Sequence, residues 1–224
     1  MKKEIKTKLW KVFLLDILFI IVLITAFFFI RKSLLSYTTS LQVLQGSLES
    51  IGNSNIEEAT LIVDSLESNA NKAFIYTFIL SPLLFFLIYT FIQGFSWKII
   101  KEQSNKYFLY FGLSSIPAFV FLIFYTIDSF TSNLLLVFGL IFGFIAFILY
   151  INPSQSIFKK VLRKFYYYIP LYVIYLILFI AFLLSGFLAY LSFFVGNYLS
   201  IVPIFLVVTF ILSFLKLILV KKFG

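Results

Sequence analysis

Residues 12–30 read VFLLDILFIIVLITAFFFI, an apolar run with a single ionisable residue, Asp16. At ~1.5 Å per residue a helix of this length covers the ~30 Å of a bilayer's hydrocarbon core. Lipid supplies no hydrogen-bond partner for backbone amides, so such a run is expected to be a membrane-spanning helix. Lys2, Lys3, Lys6, Lys8 and Lys11 precede it, and Arg31 and Lys32 follow. A basic start before an apolar run also describes a secretory signal. Here, however, the run is long, contains Asp16 and ends in AFFFIRK with no small-residue cleavage pattern, so it reads as an uncleaved first span.

Five more apolar runs of similar length follow, giving expected spans at 12–30, 73–95, 107–127, 134–151, 167–191 and 199–219. The predicted class is all-α: a polytopic integral membrane protein, one membrane domain covering 1–224, built as a six-helix transmembrane bundle. Composition agrees, since 62% hydrophobic residues and 32 phenylalanines among 224 lie outside the usage of soluble domains. The preference for Phe, Ile, Tyr and Lys fits an AT-rich genome, which lowers the functional weight of any one aromatic residue.

The formal charge of +9 has a topological reading. With the N-terminus inside, fifteen basic residues fall on one side and only Arg31, Lys32 and Lys72 on the other. This positive-inside bias predicts cytosolic termini, with anionic lipid, not nucleic acid, as the partner of the cations; the expected location is the cell membrane of a prokaryote.

Between the first two spans, residues 34–72 are polar but regularly seeded with apolar positions. Leu34, Tyr37, Leu41, Leu44, Leu48 and Ile51 step by three and four, as do Ile56, Ala59, Val63, Leu66, Ala70 and Ala73. Paired about the turn GNSN, each couple of numbers sums to 107, which predicts an extracytoplasmic antiparallel helical hairpin. Its seam consists chiefly of Leu41, Leu44, Leu48, Ile51, Ile56, Val63 and Leu66. Gly52 and Asn53 suit a helix C-terminus; Ser54 or Asn55 with Glu57 or Glu58 suits a capping box. Such a hairpin either stiffens the bundle or docks a partner protein.

Two stripes of small residues, Gly139, Gly143 and Ala146 in the fourth span and Ala181, Ser185 and Ala189 in the fifth, are expected to let these spans approach closely. Counting depth from the outer ends sets Gly139 beside Ser185 and Gly143 beside Ala181. Pro82, Pro117 and Pro203 predict kinks, with Ser114 and Ser115 positioned to bond carbonyls that Pro117 leaves free. On the cytosolic side, residues 154–165 form an amphipathic helix whose Lys159, Lys160, Arg163 and Lys164 face lipid headgroups or a partner. A weaker surface helix is expected around Trp97, Lys98, Ile100 and Lys101.

Two charges remain inside spans. Asp16 lies five residues past Lys11 and Lys216 five before Lys221, so both sit at similar depth from the same face. A salt bridge between them would close the first span onto the sixth.

The absence of Cys and His removes disulfides, thiolate nucleophiles, imidazole bases and the usual zinc, haem and iron–sulfur ligands. No Ser–His pair, HExxH helix, phosphate loop or pair of buried aspartates is present either. The expectation is a non-enzymatic protein with no cofactor and no metal site, acting by protein contact as a scaffold, assembly or receptor-like subunit. The alternative is a permease subunit driven by a separate ATPase. Beyond Asp16, the intramembrane polar residues Ser81, Gln93, Ser114, Ser115, Ser185 and Ser213 are few for a polar substrate.

Overall fold

A chain this apolar must satisfy its amides internally. The computed structural model, which describes residues 2–51, 56–102, 106–127, 132–151, 165–195 and 198–223, is helical throughout those segments apart from a turn at Glu102. In order these are α1 (Lys2–Ile51), α2 (Ile56–Ile75), α3 (Ser81–Ile88), α4 (Gly94–Lys101), α5 (Lys106–Ile127), α6 (Ser132–Ile151), α7 (Phe165–Val195) and α8 (Tyr198–Phe223). Two π-helical turns, Tyr76–Leu80 and Tyr89–Gln93, join α2 to α3 and α3 to α4 without breaking the helical run. Among the described residues, six helices are long and apolar enough to cross a membrane: Ile5–Leu48, Ala59–Lys101, Tyr107–Tyr125, Asn133–Ile151, Tyr166–Ser192 and Ile201–Lys222. The chain is thus an all-helical, multi-pass membrane protein. The segment 154–165 with Lys159, Lys160, Arg163 and Lys164, expected as an amphipathic helix, and the turn 52–55 lie outside the described residues, apart from Phe165 at the start of α7.

The chain divides into two compact units, Met1–Ile24 with Phe86–Gly224, and Thr25–Phe85. The larger has an aromatic core. Phe111 stacks on Tyr150 at 4.1 Å and on Tyr89 at 5.6 Å, Trp97 lies 5.8 Å from Tyr150 and 6.0 Å from Tyr175, and Phe19 stacks on Phe182 at 6.2 Å. Aromatic faces and edges pack at these spacings with a gain beyond area alone. Trp97 and Ile100 are buried where the sequence suggested a surface helix, and the helical run of the second span continues past residue 95 to Lys101. Its end is set by Glu102, whose φ of 54° is left-handed and whose carboxylate pairs with Lys8 of α1.

Small residues mark the close approaches. Gly139 has Leu122 and Phe121 of α5 as its nearest neighbours, and Gly143 has the Tyr172 hydroxyl of α7. The expected couples Gly139–Ser185 and Gly143–Ala181 are therefore replaced: α6 lies along α5, where Phe121 stacks on Phe138 and Phe142, and meets α7 through Tyr172, whose hydroxyl donates to Leu140 O. On α7 a close contact is at Gly186, one residue past Ser185 and off the stripe of Ala181, Ser185 and Ala189. A Cβ there would sit 2.8 Å from Ile20 Cγ2 and 3.1 Å from its Cδ1, so α7 and α1 meet at this glycine. Gly186→Val is expected to cost about 1–3 kcal/mol through overpacking, with part of the loss recovered by Ile20→Ala. Thermal unfolding in detergent checks both.

Ser114 and Ser115 both donate to Phe111 O, at 2.9 and 2.8 Å. This differs from the expected use on carbonyls freed by Pro117. A serine in a helix reaches back three or four residues, whereas the carbonyl that Pro117 leaves free is that of Leu113.

In the smaller unit the centroids of the Tyr37 and Tyr76 rings are 5.4 Å apart, a pairing that the 107 register does not contain. The half-buried positions on α2 are Ala59, Ile62, Leu66, Asn69 and Ala73, while Val63 is 47% exposed and Ala70 is exposed. Ile62 and Asn69 thus take the places expected for Val63 and Ala70. Two stripes on this helix step by three and four, and the aromatic pair at Tyr37 and Tyr76 accompanies the second of them. On α1, Leu41, Leu44 and Leu48 are half-buried; the side chains of Ile51 and Ile56 fall outside the described set.

Candidate functional site

A charge is tolerated inside lipid only when it faces another polar group, and among the described residues the larger unit contains such a centre. α1 contributes Asp16, the π-turn before α4 contributes Gln93, α4 itself Ser96, and α8 contributes Ser213 and Lys216. All five are 0% exposed. Lys216 Nζ donates to Asp16 Oδ1 at 2.6 Å and to Gln93 Oε1 at 2.6 Å, and lies 3.5 Å from Ser96 Oγ. Gln93 Nε2 donates to Asp16 Oδ1 at 3.1 Å, and Ser213 Oγ to Asp16 Oδ2 at 2.7 Å.

The helical periods explain how these groups meet. Thr209, Ser213 and Lys216 follow one another at four and three residues, so they share one face of α8, and Thr209 is likewise 0% exposed with its hydroxyl on Phe205 O. Gln93 and Ser96 are three apart and share a face of the second span. Gln93 closes the π-turn Tyr89–Gln93, a wide turn of a kind found often at functional positions.

The three ammonium protons of Lys216 have three oxygens before them, and both carboxylate oxygens of Asp16 accept. The amide of Gln93 is turned so that its oxygen meets the cation and its nitrogen the anion. Such an arrangement offsets much of the desolvation cost of two buried charges, which is several kcal/mol per ion. A second polar link is nearby: Tyr107 Oη donates to Tyr150 O at 2.7 Å, and Tyr150 Oη is 2.6 Å from Ser115 Oγ. Since Ser115 gives its one proton to Phe111 O, Tyr150 is the donor in that last bond.

Among the sequence candidates, Asp16 and Lys216 are brought together, and Gln93 and Ser213 join them. Ser115 is buried with Tyr150, Ser185 bonds to Phe182 O of its own helix, and neither touches the centre through the bonds described. Ser96 and Thr209 were not anticipated. Their signal was spacing: each stands on the face of a residue already singled out, Ser96 three after Gln93 and Thr209 seven before Lys216. Among the described residues no three His, Cys, Asp or Glu side chains come together as a metal site. No protein-family model matches the chain, and comparison with curated proteins and with solved structures likewise finds no match.

Proposed function

We propose that this is a non-enzymatic membrane subunit that works by protein contact, with the Asp16–Lys216–Gln93 centre as the clasp that closes its bundle. The observation that carries the reading is the saturation of that centre: cation, anion and amide are spent on one another at 2.6–3.1 Å and are fully buried. A transport path or catalytic centre needs polar groups free to engage a substrate, and an acid–base mechanism needs a second titrating group beside the first. A clasp needs the reverse.

In this reading both termini are cytosolic, in keeping with the bias of basic residues, and 34–72 forms the outward antiparallel hairpin. That hairpin is the contact element. Exposed Leu61, Val63 and Val43 support this, because large apolar side chains on an otherwise polar helix are a cost that a partner would relieve. The basic residues at 159–164 serve a second contact, with anionic lipid or a cytosolic protein.

The test is cross-linking and affinity isolation from native membranes, comparing the intact chain with one in which residues 37–70 are replaced by a short polar turn. Loss of specific partners with intact folding is the expected result. Unchanged partners that include an ATPase would overturn the contact reading in favour of a permease subunit.

A further inference from the structure

Between α1 and α2 lies an open groove of about 810 Å³, within the size range of small-ligand sites. Its polar lining comes from Lys32, Ser36, Thr39 and Ser40 on α1 and Ser65 and Asn69 on α2. Lys32 is the only ionisable residue in the lining, and together with Arg31 it ends the apolar run 12–30. The groove therefore opens at the level where α1 leaves hydrocarbon and phospholipid headgroups are concentrated.

We propose that this groove holds the headgroup of an anionic phospholipid from the adjoining leaflet. The phosphate would pair with Lys32, and the remainder of the headgroup would lie along the serines. Ser40 has given its proton to Ser36 O at 2.9 Å, so its oxygen is left as an acceptor. A headgroup that itself carries hydroxyl donors, as phosphoglycerol does, matches that wall. A protein occupant fits less well, because no aromatic residue lines the groove to serve as a buried anchor and its apolar contribution is limited to a few aliphatic side chains. The inference does not depend on which side of the membrane the arms face, nor on the contact reading.

Because the chain has no cysteine, single-cysteine variants report cleanly. Ser65→Cys stands in the groove and Ala70→Cys on the exposed side of the same helix. The purified protein is placed in vesicles of phosphatidylcholine alone or mixed with phosphatidylglycerol, and reaction with uncharged N-ethylmaleimide is timed. Phosphatidylglycerol is expected to slow position 65 relative to position 70 by about tenfold, which corresponds to ~1.4 kcal/mol. Lys32→Gln should abolish the effect, while Arg31→Gln should preserve it. A ratio that is the same in both lipids overturns the proposal, and if position 65 is then slow in both, a protein surface, such as a second copy, covers the groove. Slowing that survives Lys32→Gln also overturns it, as a general effect of the anionic surface.

Discussion

Lys216→Met is expected to destabilise the protein by about 3–5 kcal/mol, because it leaves the Asp16 carboxylate buried beside Gln93 and Ser213 with no cation. Asp16→Asn should cost less. The new amide can still accept from Ser213, although the Lys216 ammonium then depends on Gln93 and Ser96 alone. The informative variant is the double one. With both charges gone nothing charged remains to be desolvated, so Asp16→Asn with Lys216→Met should be more stable than Lys216→Met by itself. A double-mutant cycle on unfolding free energies in detergent measures this, and additive losses would mean that the two side chains do not act as a pair. Exchanging them, Asp16→Lys with Lys216→Asp, should recover part of the loss, limited by the different lengths of the two side chains.

Trp97→Ala is expected to cost about 3–5 kcal/mol. The indole is fully buried and touches Tyr150 and Tyr175, so truncation opens a large void at the junction of α4, α6 and α7. Trp97→Phe should cost less, since a six-membered ring still fills most of the site and only part of the indole bicycle, with its N–H, is lost. A headgroup-level tryptophan on a surface helix would give a small effect in both variants. The unfolding midpoint in detergent therefore separates an interior α4 from an interfacial one.

The helical class and the six spans were legible because lipid imposes them: a long apolar run has only one way to satisfy its backbone. Asp16 and Lys216 could be paired on paper for a related reason. Each stands five residues inward from a lysine, and depth along a span is countable even when rotation about its axis is not. What could not be read was rotation and extent. With Lys98 and Lys101 read as its flank, the expected second span stopped at residue 95 and left out Ser96, although Trp97 and Ile100 share the buried side of α4. On α2 the stripes through Val63 and through Ile62 obey the same period, so hydrophobic spacing could not choose between them. The contact between Tyr37 and Tyr76 lay beyond the stretch used for matching. The small-residue stripes failed for a further reason: a glycine permits close approach but does not name its neighbour. Gly139 meets α5 and Gly186 meets α1 because those helices supply Leu122 and Ile20 at the right level.

The claim that the polar centre is a closed clasp, not part of a wet path, is tested most directly at Thr209, one turn from Ser213 and fully buried. In this cysteine-free chain Thr209→Cys keeps the volume, and the thiol can replace the hydroxyl's bond to Phe205 O. Native membranes are exposed from each side to a small, water-soluble methanethiosulfonate reagent, and modification is followed by mass. The clasp predicts no modification until the protein is unfolded. Modification of the folded protein from either side would mean that water reaches the centre, and the bundle would then have to be understood as a passage.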